Sequence, residues 1–241
     1  AEEIEATTDA QTENVVADEQ APAEAGGLQA LHTPLQTKFI EGGAGFMALV
    51  IACLILGLAL CIERILYLGF SKTNTKKLLA KIEEALKNGG VAAATDVCRN
   101  TRGPIASIFT QAFLRLADGQ TLEEVEKSVV SYGGVEASKM EQNLSWISLF
   151  IAIAPSLGFL GTVIGMIQAF DAIMVAGDMS PAVVAGGMKV ALITTVGGLI
   201  VAVILQIFYN YILSQVESLT IEMEDASISL MDILVKYQDN K

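Results

Sequence analysis

Hydrophobic residues gather in three long runs along the chain, and polar stretches separate them. The runs at residues 44–70, 146–176 and 182–213 each exceed the roughly 20 residues that a helix needs to cross a bilayer. We therefore predict three transmembrane helices. A short turn at residues 177–181 joins the last two runs, so we expect those two helices to be antiparallel.

The polar segments differ in charge. Residues 1–43 contain nine acidic residues and one base, Lys38, and too little apolar surface to fold alone, so we predict a disordered tail. The insert at residues 71–145 contains ten lysines and arginines. Positively charged loops tend to stay in the cytoplasm, which predicts a cytoplasmic insert and a periplasmic tail.

We expect the insert to be helical. One helix should end at Asn88-Gly89-Gly90, where asparagine and glycine terminate the periodic pattern. Thr121 and Glu124 have the spacing of a capping box, which predicts the start of another helix. That helix is expected to continue into the second membrane segment, with Gly133-Gly134 as the weak point.

The third run is followed by a cytoplasmic helix at residues 214–241. Its apolar residues alternate spacings of three and four, the pattern of a heptad seam. Two partners for this seam remain open, the insert of the same chain and a neighbouring chain. The seam consists of Val216, Leu219, Met223, Ala226, Leu230, Ile233 and Tyr237.

Composition places the chain among membrane proteins. Hydrophobic residues make up 52% and charged residues 17%, against roughly a quarter charged in soluble domains. The net charge of −12 argues against nucleic acid as a partner. The sequence begins at Ala1 rather than methionine, for which we consider a removed signal peptide or a shortened sequence.

Nothing in the sequence predicts an enzyme, a metal site or a cofactor. We expect Cys53, Cys61 and Cys98 to be free thiols, because the first two lie about 12 Å apart along one helix, beyond disulfide reach. His32 is the only histidine and lies in the polar tail, which makes a histidine-based site improbable.

The second and third runs each carry one face of small residues around a threonine. At about 100° per residue, Gly158 and Gly165 lie within about 60° of Thr162, and Gly198 shares the face of Thr195. Spacing alone leaves two interpretations, close helix packing and the lining of a polar path. The packing candidates are Gly158, Gly161, Gly165 and Gly198, and Gln206 lies further along the Thr195 face.

Two motifs carry a family resemblance. Residues 154–166 read A-P-x-L-G-x-L-G-T-V-x-G-M and residues 191–199 read A-L-x-x-T-x-x-G-L. With Glu63-Arg64 closing the first run, the chain resembles the MotA/TolQ/ExbB proton-channel family, and ExbB most closely. The resemblance covers roughly residues 44–211. It implies an all-α polytopic protein with three transmembrane helices, long cytoplasmic helical extensions and assembly into an oligomeric ring.

The resemblance also implies a function. Thr162 and Thr195 would line a pore, with Gln206 near its cytoplasmic exit. The chain would form a ring, of five copies in ExbB-type proteins, around an ExbD-like single-span partner, and would energise TonB-dependent import from the bacterial inner membrane. Alternatives are a TolQ-like or gliding-motor subunit, or a passive membrane scaffold.

Charged residues refine this expectation. Asp171 and Lys189 lie off the threonine faces near the outer end of the hairpin, where we expect them to pair. Glu63 and Arg64 fit either an orienting pair at the interface or an intersubunit salt bridge. The polar faces thus contain no carboxylate, so a proton-carrying Asp should come from the partner. Val190 stands where many ExbB proteins have glutamate.

Overall fold

The computed structural model describes residues 44–177 and 181–239, and over these residues the protein is all α-helical. The predicted acidic tail, most of the predicted turn and the last two residues lie outside the described residues. The helices are α1 (Ala44–Ser71), α2 (Thr75–Arg99), α3 (Pro104–Ala117), α4 (Leu122–Met140), α5 (Leu144–Ala176) and α6 (Pro181–Asp239).

Three of the described helices, α1, α5 and α6, contain stretches long and apolar enough to cross a membrane. Their positions follow the three hydrophobic runs. The last helix does not stop at the end of its hydrophobic run at residue 213, since α6 extends to Asp239 and is 59 residues long in all, about 88 Å. The third span and the carboxyl-terminal heptad segment are therefore one uninterrupted element.

The three membrane helices form one packed unit. Helices α5 and α6 make the most extensive contact, and α1 packs on both of them. Gly57 of α1 faces Leu205, and Met47 faces Gly197, so α1 runs in the same direction as α6. Large apolar side chains on the outer surface of this unit remain exposed, as expected for a surface that meets lipid or other membrane helices: Phe159, Val163, Ile167, Leu192, Val196 and Ile200.

The polar insert and the end of α6 form a second packed region, which we call the peripheral bundle: α2, α3, α4 and residues 214–239 of α6. Its centre is apolar, with Ile82, Phe109 and Phe113 fully buried. The heptad seam packs into this centre, against the insert of the same chain. The seam was predicted correctly as far as Leu230, but beyond it Leu234 rather than Ile233 is the fully buried residue.

The helix ends confirm one sequence expectation and correct another. The predicted end at Asn88-Gly89-Gly90 is confirmed, because Gly90 takes a non-helical φ of 67° and divides α2 into two helical segments, the second of which runs to Arg99. Helix α4 does not run into α5. It passes through Gly133-Gly134 unbroken, ends at Met140, and the chain turns at Asn143, which has a φ of 68°. Asparagine is one of the few residues that tolerates this left-handed conformation.

The capping box is confirmed. The Thr121 hydroxyl accepts a hydrogen bond from the Glu124 backbone N–H, and the Glu124 carboxylate accepts one from the Thr121 backbone N–H. Two backbone donors at the start of α4 are thereby satisfied, which fixes where this helix begins.

Candidate functional site

The crossing of α5 and α6 is close because glycines line it. A methyl group added to Gly198 would lie 2.5 Å from the Ala154 carbonyl oxygen, and one added to Gly158 would lie 3.1 Å from the Thr194 carbonyl oxygen. Gly161 and Gly165 likewise face Thr194 and Ala191. All four glycines singled out in the sequence thus lie at this helix contact, where the absence of side chains lets the two backbones approach.

Thr162 and Thr195 meet at the same crossing. Their Oγ1 atoms are in hydrogen-bond contact with each other. The Thr162 hydroxyl also lies 3.1 Å from the Ala191 carbonyl oxygen, and the Thr195 hydroxyl lies 3.2 Å from that of Gly158. Each hydroxyl has a single proton, so one threonine donates to the other while the second donates to a carbonyl. The pair, half-buried, therefore forms a small hydrogen-bond network that bridges the two helices.

Thr194, the neighbouring residue, has a different role. It is fully buried, its hydroxyl donates to the Val190 carbonyl oxygen at 2.9 Å, and its methyl group faces Gly161. This agrees with the expectation that Thr194 belongs to the helix contact. Gln206 lies eleven residues beyond Thr195, about 16 Å along the helix, where its side-chain N–H donates to Asn210 at 3.0 Å. Gln206 is thus far from the threonine pair.

Carboxylates lie far from the threonine pair along both helices. Between residues 146 and 213 the sequence contains two, Asp171 and Asp178, both toward the turn. Asp171 is nine residues from Thr162, about 13 Å along α5. Asp171 and Lys189 are both exposed, and their pairing stays a prediction. The site as built by this chain offers hydroxyls and backbone carbonyls.

A second polar cluster joins the membrane helices to the peripheral bundle. Arg64 is only 4% exposed, yet its guanidinium makes two hydrogen bonds to the Glu63 carboxylate, at 2.7 and 2.8 Å. It also donates to the Lys139 carbonyl oxygen at 3.1 Å, in the last turn of α4. The Asn143 amide donates to Glu63 at 3.4 Å. The pair therefore holds the break between α4 and α5 against α1.

Sequence reasoning identified Glu63 and Arg64 but missed Lys139 and Asn143. The contact to Lys139 uses its backbone carbonyl oxygen, which every residue has, so the identity of the residue could not predict it. Asn143 offered a weak signal, since it is a turn-favouring residue directly before a hydrophobic run.

The cysteines take no part in either cluster. Cys53, Cys61 and Cys98 are free thiols, and all three are buried. In the peripheral bundle, burial raises the pKa of Cys98 to about 12, which keeps it protonated at neutral pH.

Comparison with known proteins agrees with the resemblance. The family model described as "MotA/TolQ/ExbB proton channel family" matches residues 100–225. A putative biopolymer transport protein ExbB homolog of Methanothermobacter thermautotrophicus is 33% identical over 75% of this chain and 63% of its own length. The putative ExbB-like protein 3 of Synechocystis is 26% identical over 65% of this chain and 74% of its own length.

A shorter match is the biopolymer transport protein exbB1 of Vibrio cholerae, 39% identical over 27% of this chain and 29% of that protein. The chain thus spans 63% of the archaeal relative. The family match covers more than half of the chain and includes both threonines at the crossing of α5 and α6. The chain is a membrane protein that belongs to the MotA/TolQ/ExbB proton channel family, and within that family it is most like ExbB.

Proposed function

We propose that this chain is the ExbB-like subunit of a motor in the bacterial inner membrane, driven by the proton-motive force, and that the threonine pair lies on the proton path. The observation that carries the proposal is the network of Thr162 and Thr195 inside a glycine-lined crossing. A hydroxyl both donates and accepts, so the pair suits the transfer of a proton between waters and a carboxyl group.

A hydroxyl does not store a proton as charge at neutral pH, so the motor needs a titrating group from elsewhere. The nearest carboxylate on α5 is about 13 Å along the helix. We therefore propose a partner with a single membrane helix and an acidic residue, like ExbD, enclosed by a ring of five copies of this chain, as in ExbB-type rings. Each charge that crosses 100 mV makes about 2.3 kcal/mol available for movement of the inner helices.

The load and the orientation are part of the same proposal. We infer that the motor acts on a TonB-like protein to energise import through the outer membrane. The ten lysines and arginines of the insert support a cytoplasmic peripheral bundle and a periplasmic amino terminus.

The test is a double substitution, Thr162→Val with Thr195→Val, which keeps the shape of both side chains and removes both hydroxyls. We expect the ring to assemble and both import and proton flux to be lost, as measured by TonB-dependent uptake in cells and by pH-dye flux in proteoliposomes containing the complete complex. Thr194→Val is the matched control, since it removes a hydroxyl one residue away that bonds to its own helix.

The scaffold alternative predicts another result. The two hydroxyls bond to each other and to carbonyls within the chain, and in the scaffold alternative their whole role is to hold α5 against α6. Unchanged import and flux in the double variant would exclude the proton-path proposal. A loss of ring assembly in that variant would show a packing role instead.

A further inference from the structure

A polar groove lies between α3 and α4 on the surface of the peripheral bundle. Its volume of ≈ 440 Å³ is within the range of small-molecule sites. Gln111 and Arg115, four residues apart, line it from α3, and Gln120 lies in the connection between the two helices. Among the described residues that line the groove, only Val135 is aliphatic. The α4 side is one helix face: Glu124, Lys127, Ser128, Ser131, Tyr132 and Val135.

Ser128 is the most deeply buried residue of this groove, with 8% of its surface exposed. Its neighbour Ser131 donates to the Lys127 carbonyl oxygen of its own helix, whereas the Ser128 hydroxyl has no partner among the residues that the structure describes. Side-chain polar atoms that are sealed from solvent in this part of the chain all have partners. The Ser128 oxygen therefore opens into the groove, where its hydroxyl is free to bind a ligand.

The groove also contains positive charge. The Arg115 guanidinium makes one long hydrogen bond, 3.4 Å to the Gln120 side-chain oxygen, and within the described ranges it has no carboxylate partner. Four of its five N–H groups thus remain available. Lys127, on the α4 side, pairs with Glu123 at 2.8 Å, but both side chains are more than 70% exposed. Such a surface pair is weak, so it leaves the ammonium group able to bind an anion.

We propose that this groove binds a phosphate group, either as free phosphate or on a small polar molecule. A phosphate monoester carries a charge of about −1.5 to −2 at neutral pH, which Arg115 and Lys127 together would balance. Its three terminal oxygens surround one atom, so they can accept hydrogen bonds from Arg115, Lys127 and Ser128 at once. This site lies outside the membrane helices and does not rest on the proposed motor function.

Two other occupants fit the groove less well. Ser128 lies twelve residues before the end of α4, about 18 Å along the helix from the junction with α1. A lipid headgroup layer is about 5–7 Å thick, so it does not extend that far. A contact between copies of the chain usually has an apolar core, and the lining of this groove is polar.

The measurement is isothermal titration calorimetry on the full chain in detergent micelles. The probes are inorganic phosphate and glycerol 3-phosphate, compared with glycerol and succinate. We expect both phosphate compounds to bind, glycerol not to bind, and succinate to bind at least about tenfold more weakly, because its two charges lie on separate carboxylates. Equal affinities for the two phosphate compounds would identify free phosphate, and a tighter glycerol 3-phosphate would identify a phosphorylated molecule.

Three substitutions locate the binding. Arg115→Gln should weaken it at least about tenfold and Ser128→Ala about two- to tenfold, since hydrogen bonds from charged groups are the stronger ones. Glu124→Gln should strengthen it, because the Glu124 carboxylate lines the groove and repels an anion. Arg99→Gln is the matched control, an exposed arginine outside the groove whose loss changes the net charge equally.

The proposal is overturned if neither phosphate compound binds, if succinate binds as tightly as they do, or if Arg115→Gln binds phosphate as well as Arg99→Gln. A change of oligomeric state in Arg115→Gln, measured by native mass spectrometry, would also overturn it and make the groove a contact between copies. If Arg115→Gln fails to fold, Ser128→Ala and Glu124→Gln still decide the question, because their expected effects on binding are opposite.

Discussion

At the scale of single residues, the faces of α5 and α6 follow from helical geometry. Thr162 with Gly158 and Gly165, and Thr195 with Gly198, were predicted to share faces because the helical repeat fixes angles along one helix. The contact between the two hydroxyls was not predictable in that way. It depends on how far each helix is rotated toward the other, which the close contact of Gly198 with the Ala154 backbone decides.

Gly198→Ala tests this close contact. The added methyl group would lie 2.5 Å from the Ala154 carbonyl oxygen, which is backbone and cannot rotate away, so the helices must separate. We expect a destabilisation of about 1–3 kcal/mol, the usual cost of overpacking. The measurement is the unfolding midpoint in detergent. Gly186→Ala on the same helix is the control, since its methyl group would meet nothing within 4 Å; equal midpoints in both variants would contradict the expectation.

At the scale of helices, the sequence predicts the boundaries that neighbouring residues set, such as the start of α4 and the break at Gly90. The capping box involves only residues 121–124, so this short motif was enough to predict the start of α4. The break at Asn143 is held by two residues far away in the chain: Glu63, which accepts a hydrogen bond from the Asn143 amide, and Arg64, which donates to the Lys139 carbonyl oxygen. Gly133 and Gly134 were misleading, because packing in the bundle outweighs the weak helix preference of glycine.

The capping box also predicts a pH effect. The backbone N–H and the hydroxyl of Thr121 hold the pKa of Glu124 below its usual value near 4.5. A carboxyl group with a lowered pKa stabilises the folded state above its unfolded pKa, and this contribution is lost as the pH falls through the folded pKa. We expect the unfolding midpoint to fall less between pH 6 and about pH 3 in Glu124→Gln than in the unaltered chain. Glu126→Gln, on the same helix, is the control. An identical pH dependence for Glu124→Gln and the unaltered chain would refute the effect.

At the scale of the whole molecule, the number of membrane spans was predictable, because the length of each apolar run as a helix can be compared directly with the thickness of the bilayer. The partner of the heptad seam was not, since an apolar stripe shows that a helix has a buried face and not what covers it. The structure places α2, α3 and α4 against that seam, in the same chain. This arrangement leaves the outer face of α6 available for other contacts.

Arg64 connects the two packed regions, because it lies on α1 and binds the end of α4. Arg64→Met would leave the Glu63 carboxylate and the Lys139 carbonyl without this donor. We expect a destabilisation of about 1–3 kcal/mol, less than for a fully buried pair, since the Glu63 side chain is 45% exposed. Unfolding midpoints measure the loss, and limited proteolysis near residues 141–143 should become faster.

The double variant Glu63→Gln with Arg64→Met separates two roles of Arg64, the pairing of the Glu63 charge and the attachment of the end of α4 to α1. The double variant removes the isolated carboxylate, so its unfolding midpoint should lie above that of Arg64→Met. Proteolysis should remain fast, because the hydrogen bond from Arg64 that ties the Lys139 carbonyl to α1 is still absent. Lys87→Met, which breaks an exposed ion pair with Glu83, is the control and should change neither readout. If Arg64→Met behaves like Lys87→Met, the two regions are held together by apolar packing alone.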